Sequence, residues 1–286
     1  LSFSVLMANY NNADYIQEAI ESIINQTYPH WELVILDDCS TDNSLQMIKP
    51  YLEDERIRLI KHEENRGYGA TLKTAAENAK NEVLGIVDAD DKLHSHALEV
   101  MARAYHQNPD CGFIYSKMWR CDSNLENCKP NLLSGPVIPE KTCIFKTRIS
   151  HFKTFLKSAY ERTSGFDPRQ QKSVDKDIIF KLEEVTKFKF INQPLYFYRE
   201  HRSGISQGKG EDLARLYHYY ARCKAHIRRR FSNIPNLSKR DLTREFYKIV
   251  FHSQVKILRK IFIFFLIFTE LERYLKKSIS GSIFLS

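Results

Sequence analysis

Compact apolar runs at Phe3 to Ala8 (FSVLMA) and Leu33 to Leu36 (LVIL) predict two strands. Between them Ile16, Ala19, Ile20, Ile23 and Ile24 recur at the i, i+3, i+4, i+7, i+8 spacing of one helix face. The unit then repeats. Leu45, Ile48 and Leu52 mark a second helix and Ile57 to Ile60 a third strand; Leu72, Ala75, Ala76 and Ala79 mark a third helix and Val83 to Val87 a fourth strand. Continuous apolar strands alternating with amphipathic helices predict an α/β fold, a mainly parallel Rossmann-like sheet with helices on both faces and right-handed crossovers. Ligands of such sheets sit beyond the carboxyl ends of the strands. The sequence places its polar residues there: Asn9, Tyr10 and Asn11 after the first strand, Asp37 and Asp38 after the second, Asp88 to Asp91 after the fourth.

The middle of the chain is less regular, and Cys121 to Glu140 reads as a long loop. A helix is expected from about Val174, because Ile178, Ile179, Leu182 and Val185 form one stripe, followed by a strand at Phe188 to Ile191. From about Ser206 long helical patterns rich in Arg and Lys take over. The expected division is therefore residues 1–205 as one domain and 206–286 as a basic helical C-terminal region.

Charge sharpens that division. Residues 1–200 hold 25 Lys/Arg against 29 Asp/Glu, whereas residues 201–286 hold 18 against 6, so the net +8 belongs to the tail. A basic tail is a solvated helix face or a patch for an anionic surface; nothing in it matches a nucleic-acid reading motif, so no nucleic-acid partner is expected. The segment IFIFFLIF (Ile261 to Phe268) sits in an uncharged run ending at Thr269. At ~1.5 Å per residue that run falls well short of a hydrocarbon core of roughly 30 Å. Flanked by lysines and arginines, it suits the interface of an anionic membrane, and it equally suits packing against the domain or a second copy of the chain. With 286 residues and 43% hydrophobic content the chain has ample core. Six cysteines without close spacing are read as reduced thiols, and with no secretory signal the expected location is the cytoplasm, with peripheral attachment to the inner face of the plasma membrane as the alternative.

Leu84 to Leu93 reads LGIVDADDKL and gathers three carboxylates within four positions. Like charges ~4 Å apart repel by about 4 kcal/mol at a protein-surface dielectric, so their assembly needs a cause. Alternation along an extended chain puts Asp88 and Asp90 on one side, and Asp91 joins them only through a turn. Hard oxygen ligands at a strand end suit Mg²⁺ or Mn²⁺. A surface turn in which each Asp caps a backbone N–H is the plainer alternative.

The order VLMANYN (Val5 to Asn11), ESIINQTYPHWELVILDDCSTDNS (Glu21 to Ser44), NRGYGATLKTAAENAKNEVLGIVDADD (Asn65 to Asp91), GFD (Gly165 to Asp167) and VDKD (Val174 to Asp177) resembles family 2 glycosyltransferases of the GT-A fold. The likeness covers about residues 3 to 205 and is nearest to bacterial enzymes that build surface polysaccharides. It implies a nucleotide-diphosphate sugar donor, with UDP favoured, a glycan or lipid-linked glycan acceptor, and Mn²⁺ or Mg²⁺ as cofactor. By the same resemblance Tyr10 stacks on the base and the backbone near Ala8 meets the base edge. Asp38 would accept the imide N–H, while Asp37 is either a ligand contact or a helix cap. Lys73, where relatives often carry Asn, would reach the nucleotide or stay a solvated helix residue. Asp88 and Asp90 would hold the ribose and donor, with Asp90 and Asp91 nearest the metal. Asp175 would be the catalytic base of an inverting transfer; relatives more often have Glu-Asp where this chain has Val174 and Asp175. Arg199 and His201 are minor candidates for the diphosphate or metal. Transfer to a polyprenyl phosphate and a non-catalytic nucleotide-sugar-binding module are the alternatives.

Overall fold

The structure is a computed structural model that describes residues 1–138, 142–145, 148–201 and 211–230, together with positions 238, 240, 241, 243, 244, 267 and 269. Its first half follows the apolar pattern closely. Strands β1 (Phe3–Asn9), β2 (Trp31–Asp37), β3 (Ile57–Lys61) and β4 (Val83–Ile86) pair in parallel in the order β3-β2-β1-β4. Every residue of β1 and β2 is buried, as an inner parallel strand covered on both faces requires.

Side chains alternate between two cores. Phe3, Val5 and Met7 of β1 face α1 (Ile16–Ile24) and, further along the chain, α4 (Ala97–Gln107). Leu6 and Ala8 face α3 (Tyr68–Glu77), which contributes Leu72, Ala75 and Ala76. The helix expected through Leu52 divides into α2 (Ser44–Ile48) and a 3₁₀ turn, Lys49–Glu53. Pro50 stands at the start of that turn, where it has no N–H to continue an α-helix.

Beyond β4 the sheet changes direction. The strand β8 (Lys153–Leu156) lies antiparallel between β4 and the long β6 (Cys111–Cys121). β6 pairs in parallel with β9 (Lys187–Arg199), and the short β5 (Lys92–Leu93) pairs antiparallel with β9 at the far edge. β9 thus extends well past the expected Phe188 to Ile191. Its length carries Tyr196, Tyr198 and Arg199 back to the end of β4.

One expectation fails in this region. Cys121 and Cys128 form a disulfide, with Cα atoms 4.1 Å apart, so the chain does not carry six reduced thiols. The cause is register: β7 (Lys129–Pro130) folds back on β6 with Arg120 opposite Lys129 and Trp119 opposite Pro130. The next pair outward is Cys121 with Cys128. Seven residues of separation conceal in sequence what a hairpin brings together.

After the short α5 (Lys157–Glu161), helix α6 (Val174–Glu183) begins where its stripe predicts, and α7 (Glu211–Arg229) packs on it, sending Ala221 and Ala225 into the same core as Ile178, Ile179 and Leu182. The boundary expected at 205/206 falls among residues outside those described, as does the apolar run 261–268 except Ile267, which packs against the α7 cluster of Leu216, Tyr217 and Tyr220. Among the described residues no helix is long and apolar enough to cross a membrane.

Candidate active site

β1 and β4 end side by side, and their carboxyl ends open into a cleft of about 560 Å³, within the span of ~300–1,000 Å³ common for small-molecule sites. The walls come from Ala8 to Asn12 after β1, Asp38 after β2, the turn and first residues of α3, Asp88 to Asp90 after β4, His151 and Lys153 at β8, Gln171 to Asp175 leading into α6, and Tyr198 of β9. The cleft therefore gathers Ala8, Tyr10, Asp38, Asp88, Asp90 and Asp175. It does not include Asp37, Lys73, Asp91, Arg199 or His201 in its lining.

Each outlier has a different occupation. Asp37 is buried and accepts from Asn9 Nδ2 at 2.7 Å, from the Ser40 backbone N–H at 3.0 Å and from the Ser40 hydroxyl at 2.6 Å, which fixes the loop after β2. Lys73 sits on the outer side of α3, 3.8 Å from Glu77. Asp91 turns beneath the cleft, where it accepts from the Tyr196 hydroxyl and the Arg199 backbone N–H, each at 2.8 Å. The Arg199 guanidinium braces the acidic turn from outside, donating to the Asp90 carbonyl at 2.7 Å and the Ser123 carbonyl at 2.6 Å while resting over the Tyr15 ring. His201 stands behind the lining with Nε2 2.8 Å from Asp90 Oδ2.

On the wall that follows β1 and β2, Tyr10 is 47% exposed at the cleft mouth. Asp38 is nearly covered and already holds three partners, His62 Nδ1 at 2.6 Å and the backbone N–H groups of Arg66 and Gly67 at 2.9 and 2.8 Å. Gly67 begins α3 at φ +83°, a conformation that favours glycine. Tyr68, the next residue, donates its hydroxyl to Asp88 Oδ1 at 2.5 Å. Burial pushes the Asp88 carboxyl up to about 6, with Asp90 adding to the rise and Lys153 and Tyr68 opposing it. Burial likewise pushes Asp91 well above the usual carboxylate range, aided by Asp90 and Asp88. Such a strip favours any ligand that brings positive charge.

The opposite wall is cationic around one carboxylate. Asp175, in the first turn of α6, has Lys153 Nζ 3.0 Å and Lys176 Nζ 3.4 Å from its Oδ2. Burial would raise this carboxyl, but the Lys153 and Lys176 charges outweigh it and hold Asp175 well below the ordinary range. His151 stacks on Tyr196 at 4.6 Å, and burial and the Lys153 charge keep its imidazole neutral. Tyr68, His151, Lys153 and Tyr198 did not stand out in the sequence. They come from three separate segments, the start of α3, the entry to β8 and the end of β9, and no local spacing marks them.

The GFD turn lies away from the lining. Gly165 takes φ +66°, and Asp167 pairs with Arg169 and with Lys224 of α7.

Among the described residues no three His, Cys, Asp or Glu side chains form a ready-made metal cage. Asp90, backed by His201, remains a carboxylate facing the cleft. One or two carboxylates completed by substrate phosphates is how Mg²⁺-type sites are built, so the donor set fits a divalent ion that arrives with its ligand.

The family model for glycosyl transferase family 2 matches residues 4–164. A chondroitin synthase of Pasteurella multocida is 29% identical over 251 residues, covering 87% of this chain and 26% of that protein. This chain thus spans about a quarter of that relative's length. An uncharacterized glycosyltransferase of Methanocaldococcus jannaschii is 30% identical over 265 residues, 89% of this chain and 87% of the relative. Among solved structures, Staphylococcus aureus TarS 1–349 in complex with UDP-GlcNAc superposes with a TM-score of 0.67 at 20% identity, over 98% of this chain and 73% of that one. At that identity the likeness speaks for the fold.

Proposed function

This chain belongs to glycosyltransferase family 2, and from that premise we propose that it moves a sugar, with inversion, from a nucleotide-diphosphate sugar to a hydroxyl of a glycan or lipid-linked glycan. One observation carries the proposal: an acidic strip, Asp88 and Asp90, and a separately held carboxylate, Asp175, line the same cleft from different walls. UDP is the favoured nucleotide, supported by the fold shared with the UDP-GlcNAc-bound TarS structure.

In this mechanism Tyr10 offers its exposed ring to the base and Asp38 borders the base edge. Asp88 faces the ribose, and Asp90, with His201 behind it, would hold Mn²⁺ or Mg²⁺; Asp91 keeps the turn in shape from below. When bound, such an ion supplies positive charge to the departing diphosphate. Asp175 accepts the proton of the acceptor hydroxyl as the new O–C1 bond forms. The C1–O bond to the nucleotide diphosphate breaks on the opposite face of the sugar, so the anomeric configuration inverts. The surplus of 18 Lys/Arg over 6 Asp/Glu in residues 201–286 supports a place for the enzyme against an anionic membrane surface.

A panel of nucleotide sugars, each with and without Mn²⁺, tests the proposal by thermal shift and by release of free nucleotide. A UDP-sugar is expected to raise the melting temperature more with Mn²⁺ than without, because a ligand that binds only the folded state stabilises it. Indifference to every donor would overturn the proposal.

A further inference from the structure

Lys153 is 2% exposed. A buried ammonium is expensive unless it is paired, so its partners define its purpose. It opens β8, opposite Ile86 of β4 and Tyr115 of β6. Its Nζ lies 3.0 Å from Asp175 Oδ2 and 3.2 Å from His151 Nε2. The neutral imidazole is itself clamped between β8 and β9 by stacking on Tyr196 at 4.6 Å and Tyr198 at 6.0 Å. Two partners of fixed position fix the lysine.

Asp175 lies in the first turn of α6, two residues past the N-cap Ser173, and the helix receives no side-chain cap. The Asp175 carboxylate turns instead toward β8. The Lys176 ammonium approaches the same Oδ2 at 3.4 Å, so both cations load one oxygen. No hydrogen bond of the described structure engages Oδ1.

We infer that Lys153 is a positioning residue for Asp175: by anchoring Oδ2 from β8, it turns Oδ1 toward the acceptor hydroxyl. The inference deepens the proposed function and rests on Asp175 being its base. Besides Lys153, Lys176 and His151, the charged and titratable groups that face Asp175 are Tyr68 and Asp88 across the cleft and His218 of α7.

The test titrates the full chain labelled with ¹³C at the aspartate carboxyls, with Asp175→Asn identifying the Asp175 signal, and compares Lys153→Met, Lys153→Arg and the unsubstituted protein. In the unsubstituted protein Asp175 is expected to titrate below the solvent-exposed aspartates. Lys153→Met should raise its midpoint by at least about one pH unit, and Lys153→Arg should restore most of the difference. UDP affinity, measured by calorimetry with Mn²⁺, should stay within about twofold, because the anchor acts on the base and not on the nucleotide.

An ordinary Asp175 midpoint in the unsubstituted protein overturns the inference even if Lys153→Met does not fold. So does an unmoved midpoint in Lys153→Met, or a tenfold or greater (about 1.4 kcal/mol) loss of UDP affinity, which would make Lys153 a phosphate contact. Absence of sugar transfer by the unsubstituted chain with every donor would count against the proposed function, whereas an unmoved midpoint counts against this inference.

Discussion

Gly67 donates its backbone N–H to Asp38 Oδ2 at 2.8 Å, and that bond ties the start of α3 to the end of β2. The same carboxylate receives the Arg66 N–H and His62 Nδ1 on its other oxygen. Asp38 therefore shapes this wall of the cleft through bonds internal to the protein. Asp38→Asn would set an amide NH₂ against groups that are all donors. It should cost about 1–3 kcal/mol of stability in ligand-free urea unfolding, the scale for leaving a buried polar group unsatisfied. A variant as stable as the parent and deficient only in UDP binding would show that the internal bonds are dispensable.

The two neighbouring aspartates of the acidic turn separate a ligand role from a structural one. Asp91 is buried and accepts two hydrogen bonds, whereas Asp90 faces the cleft with 24% of its side chain exposed. Asp90→Asn should keep the melting temperature of the metal-free protein and abolish the extra stabilisation by Mn²⁺ with a UDP-sugar. Asp91→Ala should lower unfolding stability by about 1–3 kcal/mol by stranding the Tyr196 hydroxyl and the Arg199 N–H. Differential scanning of both variants with and without Mn²⁺ reads the contrast directly.

What the sequence discloses follows from where the information resides. β1, β2 and β4 are legible because burial on both faces leaves unbroken apolar runs. The stripe on α6 is legible for the corresponding reason at period 3.6. The middle of the chain resists: β6 mixes Lys117 and Arg120 with apolar residues near its outer end, and β9 carries Lys187, Lys189 and Gln193, as strands with half-exposed faces do. The acidic motif announces itself by local charge density, but the direction of each carboxylate does not. Asp91 faces Tyr196 and Arg199, more than a hundred residues away, and only the long run of β9 brings them together. Lys153 is silent for the same reason.

Asp175→Asn distinguishes the acceptors. A hydroxyl acceptor needs a proton removed, so the substitution should slow transfer by about 10²- to 10⁴-fold while UDP binding persists. A phosphate acceptor is already anionic. Near-normal transfer to a polyprenyl phosphate by Asp175→Asn would therefore reassign the acceptor class, and a fixed-time assay with both acceptor types reads the choice.

α7 is attached to α6 and to the GFD turn by charge inside the core. Lys224 is 2% exposed and lies 2.8 Å from both Asp167 Oδ2 and Asp177 Oδ1; Lys181 approaches the other Asp177 oxygen at 2.7 Å. Removing one partner leaves its counter-charges buried, which costs about 3–5 kcal/mol in comparable sites. Lys224→Met should destabilise by that order in guanidinium unfolding. Combining it with Asp167→Asn should recover part of the loss, because one stranded carboxylate is then neutral.

Acid should unfold the protein in two stretches, and the sign follows from which state binds the proton. Burial, with Lys176 and Arg222, lowers His218 from 6.5 to about 4. The unfolded chain then binds a proton that the folded chain refuses between those values, so stability falls as pH drops from about 6.5 to 4. Burial alone would raise Asp177, but Lys224 and Lys181 reverse this and hold it at about 2. Its contribution is complete above the ordinary carboxylate value of 3.8 and is lost as pH falls toward 2. Asp88, raised to about 6, runs the other way in the metal-free protein, since its stabilising protonated form is lost as pH rises toward that value. The upper stretch is therefore isolated by difference. The gap in melting temperature between His218→Gln and the parent should change steadily from pH 7 to pH 4, in favour of the variant at the acid end. A gap independent of pH would mean that His218 takes up its proton equally in both states.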